Sequence, residues 1–146
     1  METDISLRIN QISLEEYLEI RKAVNWKKLS HLQAAKALEN SLYKVGAYEI
    51  TGDKARLIGM GRLVGDGSVI CYVQDLIVIP EYQKKGIGSL ILNTLTDFVK
   101  SIGEPDTEMM LCLMCAKGRQ HFYEEHGFIA RPTDELGPGM IQYLRL

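Results

Sequence analysis

A segment in the middle of the chain combines the features of a phosphate-binding loop. Its sequence is Gln83-Lys84-Lys85-Gly86-Ile87-Gly88-Ser89. Because glycine lacks a Cβ atom, a phosphate can approach the backbone closely at Gly86 and Gly88. A helix that begins at these glycines presents free N–H groups and the positive end of its dipole to an anion. The two lysines add positive charge, so the segment predicts a phosphate or pyrophosphate site.

The residues around this loop exclude two common nucleotide sites. A P-loop requires the pattern G-x-x-x-x-G-K-[ST], which the chain lacks. A dinucleotide fold requires the third glycine of G-x-G-x-x-G, and Ile91 occupies that position. Gly86 and Gly88 alone leave the phosphate ligand open, because many helices begin with glycine for steric reasons.

A single carboxylate, Asp75, lies within the otherwise apolar run from Val69 to Ile79. A buried carboxylate is costly unless it is paired or hydrogen-bonded. Such residues tend to have a shifted pKa and a function. Asp75 is therefore a candidate for proton transfer, and the alternative is a structural carboxylate that holds a loop or a lysine.

The thiols and imidazoles are secondary candidates. Cys112 and Cys115 have the C-x-x-C spacing of metal and redox sites, but residues three apart in a strand point to opposite faces. We interpret them as small buried thiols and predict no metal site. His121 and His126 are candidates for proton transfer because of their residue type, and a solvated helix end is the simpler interpretation of His126.

Length and composition narrow the class of protein. The 146 residues suit one domain with its own core, so we predict a single domain over residues 1–146. The formal net charge of −2 argues against nucleic-acid or anionic-membrane partners, which need excess positive charge. The acidic start of the chain has no secretory pattern, and no segment approaches the ~20 apolar residues of a membrane span. We therefore predict a cytoplasmic protein.

Periodic apolar patterns predict the elements that position these residues. Ser13 and Glu16 have the spacing of a capping box, which places a helix directly after Ser13. The βαβ order around the longest helix implies that the strands on either side of it are parallel. We predict strands over residues 5–9, 42–50, 55–64, 69–79, 109–115 and 140–146, and further helices over about 30–39, 86–102 and 117–125.

Two motifs carry a family resemblance. The phosphate-binding loop matches Q/R-x-x-G-x-G/A, and residues 122–128 match F-Y-x-x-x-G-F. Both are motifs of the GNAT superfamily of N-acetyltransferases, and the predicted element order agrees over nearly the full chain. The chain therefore resembles a GNAT enzyme. We expect an α/β fold with a mixed, mostly antiparallel sheet of six or seven strands and about four helices.

The resemblance implies acetyl-CoA as the co-substrate and a homodimeric enzyme. In the family, the strand before the loop pairs its backbone with the pantetheine arm, and the loop amides hold the pyrophosphate. The residues that match these positions are Ile77, Val78, Ile79, Gln83, Lys84, Lys85, Gly86, Ile87, Gly88 and Ser89. One departure is Ala116, which stands where many members have an asparagine, so a side-chain contact to the coenzyme or to water is missing.

Transfer of acetyl to an amine requires proton transfers that side chains of this chain can perform. A lysine-like amine has a pKa of about 10.4 and must lose a proton before it attacks. We predict that Asp75 is the base that accepts this proton. A backbone N–H near Ile77 is the predicted donor to the oxyanion. Tyr123 matches the family tyrosine that serves as general acid towards the departing thiolate, and a core aromatic is its alternative interpretation. None of these steps requires a metal.

Two alternatives to a small-amine N-acetyltransferase stay open. One is a regulatory protein that binds acyl-CoA without turnover, which Ala116 favours and Tyr123 opposes. The other is an acetyltransferase that acts on protein N-termini or lysines. The sequence leaves the identity of the amine acceptor open.

Overall fold

A computed structural model describes residues 4–146 of the chain. Its strands are β1 (Asp4–Ile9), β2 (Tyr43–Thr51), β3 (Lys54–Gly65), β4 (Ile70–Val78) and β5 (Met110–Leu113), and its α-helices are α1 (Leu14–Ala23), α2 (His31–Glu39), α3 (Ile87–Ile102) and α4 (Gln120–Glu125). A short 3₁₀ helix spans Pro80–Tyr82. No helix among these residues is long and apolar enough to cross a bilayer.

The five strands form one sheet in the order β1-β2-β3-β4-β5. The first four are antiparallel neighbours, and β4 and β5 are parallel. This arrangement confirms the predicted α/β class, the mostly antiparallel sheet and the parallel pair. The described residues contain five strands where we expected six or seven.

The predicted strand over residues 140–146 is wrong. The structure assigns no regular secondary structure to this segment, although its apolar and polar residues partly alternate. Its apolar side chains are strongly exposed, with 87% for Met140, 82% for Tyr143 and 70% for Leu144. Alternation marks a segment that can become a strand, but a strand also needs a partner, and the pattern itself does not provide one.

The chain divides into two compact units, with the boundary between Leu113 and Met114. The first unit contains the whole sheet with α1, α2 and α3. The second contains α4 and the segments around it, and none of its residues is buried. The single domain over residues 1–146 stays a prediction.

Local sequence signals account for the start of α1. The Ser13 hydroxyl accepts a hydrogen bond from the Glu16 backbone N–H at 3.1 Å. In return, the Glu16 carboxylate accepts one from the Ser13 N–H at 2.9 Å. The predicted capping box is therefore confirmed. It satisfies two N–H groups at the start of α1 that would otherwise have no partner.

Helices α2 and α3 lie on opposite faces of the sheet. Neighbouring residues of a strand point to opposite faces, and β3 supplies the contacts to both helices. The Arg62 guanidinium donates to the Ala37 carbonyl of α2 at 3.4 Å. A Cβ atom at Gly61 would instead lie 2.8 Å from side-chain carbons of Ile91 and Leu95 in α3. Helix α3 can pack this closely because Gly61 has no side chain.

We expect Gly61→Ala to lower the free energy of unfolding by about 1–3 kcal/mol, the usual effect of overpacking a core. Ile91 and Leu95 are 0% exposed, so neither can move aside into solvent. Urea denaturation followed by circular dichroism measures the change. Gly103→Ala is the matched control, because its Cβ would have no neighbour closer than 3.7 Å. Equal stability of Gly61→Ala and the wild type would contradict this account of the packing.

Candidate functional site

The predicted phosphate-binding loop connects the end of β4 to the start of α3. Helix α3 begins at Ile87, with Gly86 as its N-cap residue. Gly86 has a φ of 83°, in the left-handed region that favours glycine. Lys84 is also left-handed, with a φ of 63°. The loop therefore favours a glycine at position 86 for its backbone conformation, in addition to the room that glycine leaves for a phosphate.

The first turn of α3 leaves N–H groups available to an anion. Within the helix, the backbone bonding starts with the Leu90 N–H, which donates to the Gly86 carbonyl at 3.1 Å. The N–H groups of Ile87, Gly88 and Ser89 precede that bond and have no acceptor within the helix. No side chain caps this end, and a Cβ at Gly86 would meet no atom within 4 Å. The 16-residue helix thus presents open donors and the positive end of its dipole.

The polar side chains of the loop differ in what they contact. Lys84 and Lys85 are exposed, and the Lys85 ammonium lies 5.2 Å from the centroid of the Tyr82 ring. The Gln83 side chain donates to the Val78 carbonyl at 2.9 Å. Gln83 therefore fastens the loop to β4, whereas both lysines extend positive charge into solvent.

Strand β4 separates from β5 before it reaches the loop. The parallel pairing ends at Val73 and Leu113, whereas β4 continues to Val78. The Ile79 N–H donates to the Ile58 carbonyl of β3 at 3.0 Å. Because successive backbone groups point in opposite directions along a strand, the N–H and C=O of Val78 point away from β3. Of the three predicted pantetheine-binding residues, Val78 thus directs its backbone outward, and Ile77 and Ile79 have buried side chains.

The separation coincides with an irregularity at Asp75. The register between β3 and β4 shifts between Met60 and Arg62, so that Asp75 and Leu76 lie opposite the single residue Gly61. Asp75 has a φ of 59°, which is uncommon for a residue with a side chain. This β-bulge bends β4 two residues after its last pair with β5.

The Asp75 side chain lies in a buried cluster of charged groups. Its carboxylate accepts hydrogen bonds from the Arg21 guanidinium at 2.9 Å, from the Arg62 guanidinium at 2.7 Å and from the Tyr17 hydroxyl. The Asp75 side chain is 0% exposed, and those of Arg21 and Arg62 are 12% and 10% exposed. Burial and the hydrogen bond to Asp75 raise the pKa of Tyr17. Both carboxylate oxygens of the predicted base therefore already have partners.

Sequence reasoning missed three members of this cluster. Arg62 carries a detectable signal, since it interrupts an apolar strand in the same way as Asp75. Tyr17 and Arg21 are one helical turn apart in α1, where they look like ordinary members of an amphipathic helix. Nothing local connects them to a carboxylate more than 50 residues away.

The predicted general acid, Tyr123, belongs to α4 in the second unit. Burial raises the pKa of its phenol to about 12, with a smaller contribution from Cys115. The group therefore keeps its proton at neutral pH. Its ring makes edge-on contacts with Phe122, at 5.0 Å between centroids, and with Phe128, at 5.8 Å. Phe122 is half-buried.

The second motif, F-Y-x-x-x-G-F, forms the C-terminal end of α4. Gly127 has a φ of 87°, its N–H donates to the Glu124 carbonyl at 3.0 Å, and the Phe128 N–H donates to the Tyr123 carbonyl at 3.1 Å. These two bonds form a Schellman motif, and the Tyr123–Phe128 ring contact is its usual hydrophobic closure. The tyrosine, glycine and second phenylalanine of F-Y-x-x-x-G-F are thus all used to end a helix.

The remaining candidates have local contacts. His121 forms an exposed pair with Glu125 at 2.9 Å, and the His126 ring lies 2.7 Å from the Phe122 carbonyl. Cys115 is exposed, so its prediction as a buried thiol is wrong. Its neighbourhood lies past the end of β5, where the strand pattern no longer determines burial. Among residues 4–146, no three His, Cys, Asp or Glu side chains are grouped to hold a metal ion.

The loop after β4, the separated end of that strand and the bulge at Asp75 all lie in a part of the chain that matches a known family. Residues 43–130 match the family model described as an acetyltransferase (GNAT) domain. This range is more than half of the chain, and it includes both motifs. The protein therefore belongs to the GNAT family of acetyltransferases and is an enzyme, which confirms the predicted resemblance.

Solved structures and a curated relative agree with this assignment. The chain is similar to a GNAT-family acetyltransferase of Streptococcus pneumoniae, with 32% identity, a TM-score of 0.77 and coverage of 98% of this chain and 100% of that one. A probable acetyltransferase of Staphylococcus aureus has 30% identity, a TM-score of 0.80 and coverage of 96% and 100%. An uncharacterized ycf52-like N-acetyltransferase of Prochlorococcus marinus is 27% identical over 89% of this chain and 70% of its own length.

Proposed function

We propose that this enzyme transfers the acetyl group of acetyl-CoA to a primary amine. The observation that carries the proposal is the start of α3 beside the separated end of β4. The start of α3 offers free N–H groups to a pyrophosphate. The separated end of β4 offers the backbone of Val78 to an amide-containing arm. Pyrophosphate and amide-containing arm are the two parts of coenzyme A that lead to its thioester.

In this proposal the loop binds the coenzyme mainly through its backbone. The N–H groups of Ile87, Gly88 and Ser89 donate to the pyrophosphate, and Lys84 and Lys85 add a screened attraction from the surface. Gln83 keeps the loop attached to β4 through the Val78 carbonyl. The remaining outward group of that residue, its N–H, is then available to a carbonyl of the pantetheine arm.

The chemical step requires the amine to lose a proton and the thiolate to gain one. We propose Tyr123 as the acid, because its raised pKa keeps the phenol protonated until the thiolate departs. Asp75 is the base predicted from the sequence, but its two oxygens already accept hydrogen bonds from the side chains of Tyr17, Arg21, Arg62 and Gln74. The proposal therefore names no base.

Release of free CoA tests the proposal directly. Purified protein is incubated with acetyl-CoA and a panel of small primary amines and peptides, and a thiol reagent measures the CoA that appears. We expect amine-dependent release with at least one acceptor. Calorimetric binding of CoA without release in any reaction would instead support a regulatory protein. Release only with peptides would support acetylation of protein N-termini or lysines.

Two further properties are part of the proposal, a dimeric state implied by the family resemblance and a location predicted from the sequence. We propose that the enzyme is a homodimer, and light scattering after size-exclusion chromatography measures its mass in solution. We also propose that it is located in the cytoplasm, and fractionation of the producing cells with an antibody against the protein tests this.

A further inference from the structure

The buried charged cluster is located at the point where β4 changes direction. The backbone of Asp75 is in the left-handed region, and this residue follows the last β4–β5 pair by two positions. The left-handed region is unfavourable for a residue with a Cβ atom, so surrounding contacts must hold it there. We refer to Tyr17, Arg21, Arg62 and Asp75 together as the Asp75 clamp.

Each arginine of the clamp is itself anchored at a second point. Arg62 donates to the Ser41 hydroxyl at 3.2 Å as well as to the Asp75 carboxylate. Arg21 donates to the Lys27 carbonyl at 2.9 Å through its other terminal nitrogen. The carboxylate is therefore fixed from α1, from β3 and from the chain around α2. A charge-assisted bond to an anchored guanidinium holds a side chain in one orientation.

The Asp75 carboxylate is the anionic partner of both arginines of the clamp. Two guanidinium groups, both about nine-tenths buried, face this one carboxylate. Burial, and to a smaller extent the charge of Arg62, lowers the pKa of Lys44, whose ammonium donates to the Leu38 carbonyl at 2.9 Å. Protonation of Asp75 in each catalytic cycle would leave buried positive charge without its anion, which is strongly unfavourable.

We propose that the Asp75 clamp is a positioning device for the coenzyme strand and that Asp75 itself takes no proton from the acceptor amine. The clamp holds the bulge that turns β4 away from β5, and the bulge in turn directs the backbone of Val78 outward. Tyr17, Arg21 and Arg62 are then positioning residues of the transfer reaction, although none belongs to either sequence motif. This inference rests on the proposed use of acetyl-CoA.

Conservative variants of the clamp test this role. Tyr17→Phe removes one hydroxyl donor, and Arg62→Lys keeps the charge but loses the guanidinium geometry. We expect both to weaken CoA binding in calorimetry by about 10- to 100-fold, because small misplacements of a binding element have effects of that size. The pH dependence of kcat should keep its acid limb, since neither change removes a carboxylate.

Tyr48→Phe is the matched control. Tyr48 is also a buried tyrosine on the α1 side, and its hydroxyl donates to Glu16 at 3.2 Å rather than to Asp75. This variant should bind CoA as tightly as the wild type. If Tyr17→Phe and Arg62→Lys also bound CoA normally, the clamp would have no positioning role.

Asp75→Asn separates positioning from proton transfer. If Asp75 is a positioning residue, the variant should bind CoA more weakly and keep the acid limb in the pH profile of kcat. If Asp75 is instead the base, the variant should bind CoA normally, have a much lower kcat and lose the acid limb. This result would overturn the proposal. Retention of the wild-type near-ultraviolet circular dichroism shows that the variant is folded.

Amide hydrogen exchange tests the clamp without any coenzyme. The Ile79 N–H, bonded to the Ile58 carbonyl, reports on β4 just past the bulge. We expect faster exchange at Ile79 in Tyr17→Phe and unchanged exchange in Tyr48→Phe. If the wild-type protein failed to bind CoA, the proposed function would fail, whereas the exchange data would still decide whether the clamp holds the strand. Equal exchange in both variants would overturn the clamp.

Discussion

Replacing Tyr123 with phenylalanine should lower kcat by about 10²-fold, the usual effect of removing one general acid. This corresponds to about 3 kcal/mol of transition-state stabilisation. Partial burial raises the pKa of the phenol to about 12, so the wild-type enzyme carries the proton at neutral pH. The loss should appear equally in kcat and in kcat/KM, because the proton is donated only as the thiolate leaves.

The variant retains the contacts that have structural roles. Its ring still meets Phe122 and Phe128, and the backbone bonds that end α4 do not involve the hydroxyl. CoA affinity and thermal stability should therefore match those of the wild type. Rapid-quench measurement of a single turnover isolates the chemical step. A normal single-turnover rate would remove Tyr123 from catalysis and leave the coenzyme site unaffected.

Gly86→Glu should abolish binding of acetyl-CoA. Two unit charges 4 Å apart repel by about 4 kcal/mol at an effective dielectric constant of 20, which weakens Kd by about 10³-fold. The new carboxylate would stand at the N-cap of α3, where the proposal places the pyrophosphate. The left-handed backbone of residue 86 strains any side chain, but the strain is local to the loop and a Cβ at this position meets no atom within 4 Å, so the fold should survive.

Gly86→Asn controls for the left-handed backbone. Asparagine tolerates a positive φ better than most residues and adds no charge, so this variant should keep much more of the affinity than Gly86→Glu. Calorimetry with CoA measures both, and urea denaturation confirms that each is folded. Unchanged affinity in a folded Gly86→Glu protein would exclude the start of α3 as the pyrophosphate site.

Features determined by neighbouring residues were predictable from the sequence. Short-range chemistry determines the capping box of Ser13 and Glu16 and the start of α3 at a glycine. A simple connection rule determines the parallel pair of strands on either side of α3. The candidate loop was predictable for the same reason. Its N–H groups become available wherever a helix begins without a capping side chain.

Features that need distant partners were not predictable. Asp75 was identified as an unusual carboxylate, but its donors at positions 17, 21 and 62 are distant in sequence, and no local pattern specifies that they meet it. The segment over 140–146 has the composition of a strand without a strand partner in the structure. In both cases the sequence indicates what a residue can do, and the tertiary contacts determine what it does.

The Schellman motif at the end of α4 changes what a survey of related proteins can infer from F-Y-x-x-x-G-F. The helix end uses the ring at position 123, the glycine at 127 and the ring at 128, but it does not use the hydroxyl. A relative that has lost acetyl transfer would therefore still be under selection to keep an aromatic residue, a glycine and a phenylalanine at these positions. The informative comparison is between tyrosine and phenylalanine at the first of them. We expect relatives with phenylalanine there to be stable proteins that lack this acid.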